Sequence, residues 1–167
     1  HDVAATFAAL RDAGKVVRFG VSNFSASEFE LLQSAVDEPL VANQVEINLH
    51  NIEALENGVL DQCQRLRVTP QAWCPLAAVA YTAWDNTFTA ADQARLDAEL
   101  ARQSDIYGEE PWIIALAWLL KHPAGITPII GSTTPARIAA ARVALDIDYG
   151  REDWYRLLEA RNGRSVP

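Results

Sequence analysis

The chain passes from a short apolar strand into a helix at residues 128–137, which read Pro128-Ile129-Ile130-Gly131-Ser132-Thr133-Thr134-Pro135-Ala136-Arg137. Thr134 suits the N-cap of this helix, and Pro135 suits its first position, where the missing N–H costs nothing. Hydroxyl groups and a guanidinium beside the free N–H groups of a helix start favour a phosphate ligand. The same pattern also fits an ordinary capped turn with a solvated arginine.

Four apolar stretches alternate with helical patterns along the rest of the chain. They predict strands at residues 16–21, 40–47, 68–74 and 126–130. Helices are predicted at residues 2–13, 26–36, 59–66, 89–107, 111–121 and 135–145, with a last one after Gly150. Short strands that are apolar on both faces and alternate with helices indicate a parallel sheet with helical crossovers. We therefore expect residues 1–167 to form one α/β unit.

Charge and composition exclude several classes of function. The net charge is −8 and only two of the fourteen basic residues are lysines, which argues against nucleic acid and anionic membranes as partners. Two cysteines make no disulfide framework, and no metal-binding spacing appears. With no signal peptide and no apolar run long enough to span a bilayer, we expect a cytoplasmic protein with reduced thiols. The absence of methionine argues against a natural start at His1.

Polar and aromatic residues follow the predicted strands where each one ends. In α/β folds, ligands bind at the carboxyl ends of the strands. The residues at those ends are Ser22 and Asn23, then Gln44 and Glu46 with Asn48 and His50, then Trp73 and Cys74, then Gly131 to Thr134. Amides and hydroxyls beside a flat aromatic side chain suit a planar heteroaromatic ring that carries an amide. The same residues could instead satisfy loop backbone groups.

Both lysines and His122 precede strands, so they belong to the opposite edge of the sheet. Neither Lys15 nor Lys121 can therefore act on a ligand held at the carboxyl ends.

Four motifs, in order along the chain, resemble signatures of the aldo-keto reductases. They lie at residues 14–24 (GKVVRFGVSNF), 43–46 (NQVE), 72–76 (AWCPL) and 129–132 (IIGS). Members of this family are (β/α)8 barrels that use NADPH. The similarity covers essentially the whole chain but only strands five to eight of the barrel. It implies an α/β fold of TIM-barrel type, present here as the C-terminal half-barrel of four parallel strands with helices.

The resemblance implies a role for each matching position. Ser22, Asn23 and Gln44 would hydrogen-bond the nicotinamide carboxamide, and Trp73 would stack on the ring where the family usually has tyrosine. Leu76 and its neighbours, Cys74 among them, would line the pyrophosphate path. In the segment that opens at Gly131, three residues would meet the adenosine 2′-phosphate: Ser132, Thr133 and Arg137. The chain departs from many relatives at Gly131 and at Ala140-Ala141, where those relatives carry a lysine and a Glu-Asn pair.

The family reduces carbonyl groups with a tyrosine as general acid, assisted by an aspartate, a lysine and a histidine from the first half of the barrel. We therefore assign no catalytic residue and no metal ligand in this chain, and His1 is not given the histidine's role. His50 and Tyr81 are expected to line the substrate mouth. The bulk of Trp73, Tyr81 and Trp84 favours an apolar or aromatic carbonyl substrate.

These observations lead to one main prediction and two alternatives. The chain is expected to be the cofactor half of an NADPH-dependent carbonyl reductase, inactive alone and prone to aggregate, dimerise or stay loosely packed because its inward strand faces are open. One alternative is a non-catalytic nucleotide-binding or interaction subunit of the same fold. The other is an unrelated α/β phosphate-binding domain, such as half of a phosphosugar isomerase. The sequence predicts no oligomeric state.

Overall fold

The computed structural model describes residues 2–83 and 86–166, which form a four-stranded sheet with helices between and after the strands. The elements in chain order are α1 (Asp2–Asp12), β1 (Val21–Ser22), α2 (Ala26–Gln33), β2 (Ala42–Glu46), α3 (Glu53–Glu56), α4 (Val59–Leu66), β3 (Thr69–Trp73), α5 (Ala90–Tyr107), α6 (Pro111–Lys121), β4 (Thr127–Pro128), α7 (Pro135–Ala141), a 3₁₀ turn (Arg142–Leu145) and α8 (Arg151–Asn162).

The sheet has the order β1-β2-β3-β4, and every neighbouring pair is parallel. This arrangement confirms the predicted α/β fold with four parallel strands. The register sets Ser22 opposite Gln44, Gln44 opposite Gln71, and Gln71 opposite Thr127. One row of polar side chains therefore crosses the whole sheet.

The two central strands have one buried face and one half-exposed face, so the expectation of apolar residues on both faces is wrong for them. Asn43 and Val45 of β2 are buried, as is Ala72 of β3. The alternate residues Gln44 and Gln71 are only partly covered. Successive side chains of a strand point to opposite faces, so this alternation separates a core face from a polar face.

The edge strands are shorter than predicted. The predicted strand at residues 16–21 is reduced to Val21–Ser22, and the one at residues 126–130 to Thr127–Pro128. Each edge strand pairs with a single neighbour in the described part of the chain, which leaves fewer ladder hydrogen bonds to define it. One further backbone hydrogen bond extends the alignment at each edge. The Val41 N–H donates to the Phe19 carbonyl, and the Ile129 N–H donates to the Ala72 carbonyl.

The helices follow the sequence more closely, with three main differences. The region predicted as one helix over residues 135–145 is α7 followed by a 3₁₀ turn, the single-turn helix α3 was not predicted, and α2 ends at Gln33, three residues before the predicted end. A capping box begins each of two helices: Ser25 with Glu28 begins α2, and Thr89 with Asp92 begins α5. Bonds from the Thr89 hydroxyl, from Arg95 and from the Thr89 backbone lower the pKa of Asp92 to about 2.

The helical core is built around α6, which is buried from Ile113 to Leu119. Trp118 stacks on Trp154 of α8 with ring centroids 5.3 Å apart and an interplanar angle of 10°. The Trp118 indole N–H also donates to the Trp154 carbonyl oxygen at 3.2 Å, and the Trp154 indole N–H donates to the Trp118 carbonyl oxygen at 3.0 Å. This reciprocal pair joins α6 to α8 in the core.

Within residues 2–83 and 86–166, no helix is both long and apolar enough to cross a membrane. The same residues contain no group of three or more His, Cys, Asp or Glu side chains that could hold a metal ion.

Candidate cofactor site

The first part of the candidate site lies where β1 ends beside β2. Ser22 closes β1, and Asn23 follows it with a φ of 56°, a left-handed conformation that asparagine tolerates. The Asn23 N–H and the Ser22 hydroxyl both donate to the Gln44 carbonyl oxygen, at 2.8 Å and 3.0 Å. The backbone of these residues is therefore fixed against β2, while the Asn23 side chain projects past the end of the strand.

Gln44 reaches across the polar face to β3. Its Nε2 donates to Gln71 Oε1 at 3.0 Å, and the parallel register sets these residues opposite each other. Gln71 was not among the predicted site residues. Its place two residues before Trp73, on the same face of β3, was the signal that could have indicated it.

Trp73 ends β3 and bonds directly to Asn23. The indole Nε1 donates to Asn23 Oδ1 at 2.8 Å, a contact between residues fifty positions apart. Both side chains also line a cavity of about 290 Å³ at the carboxyl edge, together with Glu46 and Asn51. The structure thus brings Asn23 and Trp73 together, and Ser22 and Gln44 lie on the same polar face of the sheet as Trp73.

A buried asparagine holds the loop after β1 in place. Asn43 is fully buried; its Nδ2 donates to the Phe24 carbonyl at 2.8 Å, and its Oδ1 accepts the Phe24 N–H at 3.4 Å. Asn43 belongs to a motif quoted above but was assigned no function. Its position on the core face of β2 makes it a support for residues 22–24.

A larger cavity of about 690 Å³ lies beyond Trp73, between the ends of β3 and β4. Five of the predicted cofactor residues line it, namely Cys74, Leu76, Gly131, Ser132 and Arg137. The rest of the described wall consists of eight residues: Pro75, Ala80, Tyr81, Glu110, Trp112, Ile129, Ile130 and Ala141. Thr133 is exposed and is not part of this wall.

The segment before α7 differs from the prediction in one detail. Thr134 stands at the N-cap, but its side chain makes no capping hydrogen bond; instead, Ser132 Oγ accepts the Thr134 N–H at 3.2 Å. The ψ of Thr134 is 115°, whereas Ser25 and Thr89, whose side chains do cap, have ψ of 165° and 167°. Pro135 begins the helix as predicted.

The large cavity contains charges of both signs. Arg137 is exposed at one end, and the Glu110 carboxylate accepts a 2.7 Å bond from Trp112 Nε1. Burial, followed by the neighbouring Cys74 thiol, raises the pKa of Tyr81, so this phenol is neutral at physiological pH. Among the described residues that line the cavity, Arg137 is the one basic side chain.

His50 does not line the same mouth as Tyr81, and that expectation is wrong. Its side chain is buried: Nδ1 accepts the Ala83 N–H at 3.2 Å, and Nε2 lies 3.1 Å from Gln93 Oε1. Gln93 also donates to the Ala78 carbonyl at 2.9 Å. His50 therefore anchors the loop after β3 to α5. The predicted roles of His1 and Trp84 lie outside the described residues.

A sheet whose strands end in this site defines a segment of a parallel α/β barrel, and comparison with known proteins identifies the family. The profile of the Aldo/keto reductase family matches residues 1–162. The chain therefore belongs to the aldo/keto reductase family.

Characterised and solved relatives agree with this assignment. The chain is 39% identical over 167 residues to a 6-dehydroglucose reductase of Novosphingobium aromaticivorans, covering 100% of this chain and 54% of the relative. It is 38% identical over 166 residues to the oxidoreductase YdhF of Escherichia coli, covering 99% and 54%. An aldo/keto reductase of Klebsiella pneumoniae, solved with NADP and acetate, superposes with a TM-score of 0.76 at 25% identity, covering 98% of this chain and 54% of that one. The chain spans about half the length of these relatives.

Proposed function

We propose that this chain is the cofactor-binding half of an NADPH-dependent oxidoreductase that reduces aldehydes or ketones to alcohols. The observation that carries the proposal is the set of site residues at the carboxyl edge of the sheet. Asn23 and Trp73 are joined there by a hydrogen bond, and the neighbouring large cavity is lined by Cys74, Leu76 and Arg137. An elongated ligand with an amide-bearing ring at one end and a phosphate at the other matches this sequence of groups.

The size and chemistry of the site support NADPH as the ligand. A volume of about 690 Å³ falls in the ordinary range for a small-molecule pocket, which is roughly 300–1,000 Å³. The flat face of Trp73 suits stacking on an aromatic ring, and Arg137 suits a phosphate group. We propose Ser132 and Thr133 as further hydrogen-bond donors to that phosphate, with Gly131 leaving the approach open. No atom within 4 Å would meet a Cβ at Gly131.

The proposed mechanism assigns this chain binding and orientation. Ser22, Asn23 and Gln44 would hold the nicotinamide carboxamide and so fix which face of the ring is presented. Cys74 and Leu76 would cover the pyrophosphate. NADPH, when bound, supplies the hydride that reduces a carbonyl group.

We further propose that the residues that donate the proton lie outside this chain. The described residues that line the cavity with Tyr81 include no lysine or histidine, and burial raises the pKa of Tyr81. The relatives are about twice as long as the chain, which leaves room for a separate acid-base group. We therefore name no catalytic residue here.

The proposed substrate class is small carbonyl compounds. Two matched relatives are 6-dehydroglucose reductases, and their names describe the reduction of a carbonyl group on a sugar. Tyr81 and Trp112 give the wall of the large cavity aromatic character. These observations favour small aldehydes and ketones as substrates.

Replacing Trp73 by alanine tests the cofactor site. Loss of a stacked ring and of its hydrogen bond should weaken NADPH and NADH alike, by about tenfold, because neither interaction involves the 2′-phosphate. Affinity is measured by titration of the protein expressed from its complete gene. Tyr155→Ala on α8 is the matched control, since this aromatic lies away from both cavities.

Equal affinities for wild type and Trp73→Ala would contradict the proposed stacking site. The wild-type protein should also consume NADPH when an aldehyde or ketone is added. Binding of NADPH without turnover across a panel of carbonyl compounds would instead favour the non-catalytic nucleotide-binding alternative.

A further inference from the structure

We infer that Trp73 is a positioning residue, whose indole N–H sets the orientation of the Asn23 amide and so decides which of its atoms meets the cofactor. The inference rests on the proposed function and adds a role for the edge of the tryptophan ring, separate from the stacking proposed for its face. Its basis is the 2.8 Å hydrogen bond from Trp73 Nε1 to Asn23 Oδ1.

The polarity of this contact follows from chemistry and does not depend on how the amide atoms are assigned. An indole N–H can only donate, so the atom of the Asn23 side chain that faces it must be the oxygen. The NH2 group of Asn23 then points away from Trp73. Within residues 2–83 and 86–166, it makes no hydrogen bond to another protein group. Asn23 thus presents a free donor at the carboxyl edge.

The other end of Asn23 is fixed by the backbone. Its N–H donates to the Gln44 carbonyl at 2.8 Å, and its φ of 56° fixes the direction in which the side chain leaves the chain. Rotation about its two side-chain bonds is therefore the freedom left to this exposed side chain. The Trp73 N–H removes that freedom before a ligand arrives, which lowers the cost of ordering on binding.

The free donor matches one atom of the proposed ligand. A nicotinamide carboxamide has one carbonyl oxygen, which accepts, and one NH2 group, which donates. Because the Asn23 oxygen is turned toward Trp73, the side chain presents its NH2 group, which can donate to the carboxamide carbonyl oxygen. Phenylalanine at position 73 would keep a ring for stacking but would release the Asn23 amide, which could then present either atom.

The test is a double-mutant cycle with Trp73→Phe and Asn23→Ala in the protein expressed from its complete gene. Two ligands are titrated, NADP⁺ and 2′-phosphoadenosine 5′-diphosphoribose, which lacks the nicotinamide. Trp73→Phe should weaken NADP⁺ binding by about fivefold more in the Asn23 background than in the Asn23→Ala background, the range of one hydrogen bond. Binding of the nicotinamide-free ligand should change less than twofold throughout.

Trp112→Phe is the matched control, because it removes an indole N–H that lines the neighbouring large cavity and that bonds Glu110 instead of Asn23. It should change the affinities for the two ligands by the same factor. The inference is overturned if Trp73→Phe weakens NADP⁺ equally in both backgrounds, if it weakens both ligands equally, or if it weakens neither. Failure of the wild-type protein to bind NADP⁺ at all would instead overturn the proposed function.

Discussion

Replacement of Arg137 by alanine should weaken NADPH binding by about tenfold and leave NADH binding within about twofold. A guanidinium that bonds a phosphate contributes roughly 1.5 kcal/mol or more, and NADH lacks the 2′-phosphate that Arg137 is proposed to meet. Arg137 is exposed, so solvent screening holds the expected loss at the lower end of that range. The two dissociation constants are measured by titration of the protein expressed from its complete gene.

Arg142→Ala provides the matched control for this prediction. Arg142 is exposed, lies five residues further along the chain, and does not line the large cavity. Its replacement removes one positive charge from the same region without removing the proposed phosphate contact. Equal losses for NADPH and NADH in Arg137→Ala, or equal losses of NADPH in the two variants, would remove Arg137 from the proposed role.

Replacement of Trp118 by alanine should lower the free energy of unfolding by about 3–5 kcal/mol, the range for truncation of a buried aromatic side chain. Trp118 is 1% exposed and stacks on Trp154, and each indole N–H bonds the other residue's carbonyl. The variant would lose a large packed surface and the hydrogen bond from the Trp118 indole N–H to the Trp154 carbonyl. Urea unfolding followed by circular dichroism measures the change.

Two further variants separate packing from hydrogen bonding in this pair. Trp118→Phe keeps a ring against Trp154 and should lose about 1–3 kcal/mol, because the smaller ring packs less surface and the indole hydrogen bond to the Trp154 carbonyl is lost. Tyr155→Ala, which truncates a partly exposed aromatic that also contacts Trp154, should lose less than about 1 kcal/mol. A loss for Trp118→Ala no greater than that for Tyr155→Ala would contradict the account of the core.

The sequence predicts helix starts well because their signals are local. Ser25 with Glu28 and Thr89 with Asp92 form the capping boxes that their spacing indicates, and Pro111 begins α6. Strand ends are predicted less well because a strand is defined by its neighbours. The edge strands β1 and β4 are only two residues long, although the apolar stretches around them are longer.

The same distinction holds for the candidate site: the positions of its residues could be predicted from the sequence, whereas the contacts between them could not. The position of Asn23 and Trp73 at strand ends is a consequence of strand order and could be predicted. Their mutual hydrogen bond could not, since it depends on the register of three strands. The prediction for His50 was wrong for a related reason. Its hydrogen-bond partners Ala83 and Gln93 come from a distant loop and helix, so nothing near His50 in the sequence indicates that its side chain is buried.

Amide hydrogen exchange with and without NADPH tests the central claim most directly, because it reports where the cofactor binds without requiring turnover. The protein expressed from its complete gene is compared in the two states. The proposed site predicts slower exchange, within this chain, in the segments at residues 22–24, 73–77 and 129–137, with little change in α8. Binding of NADPH that leaves these three segments unprotected would contradict the account.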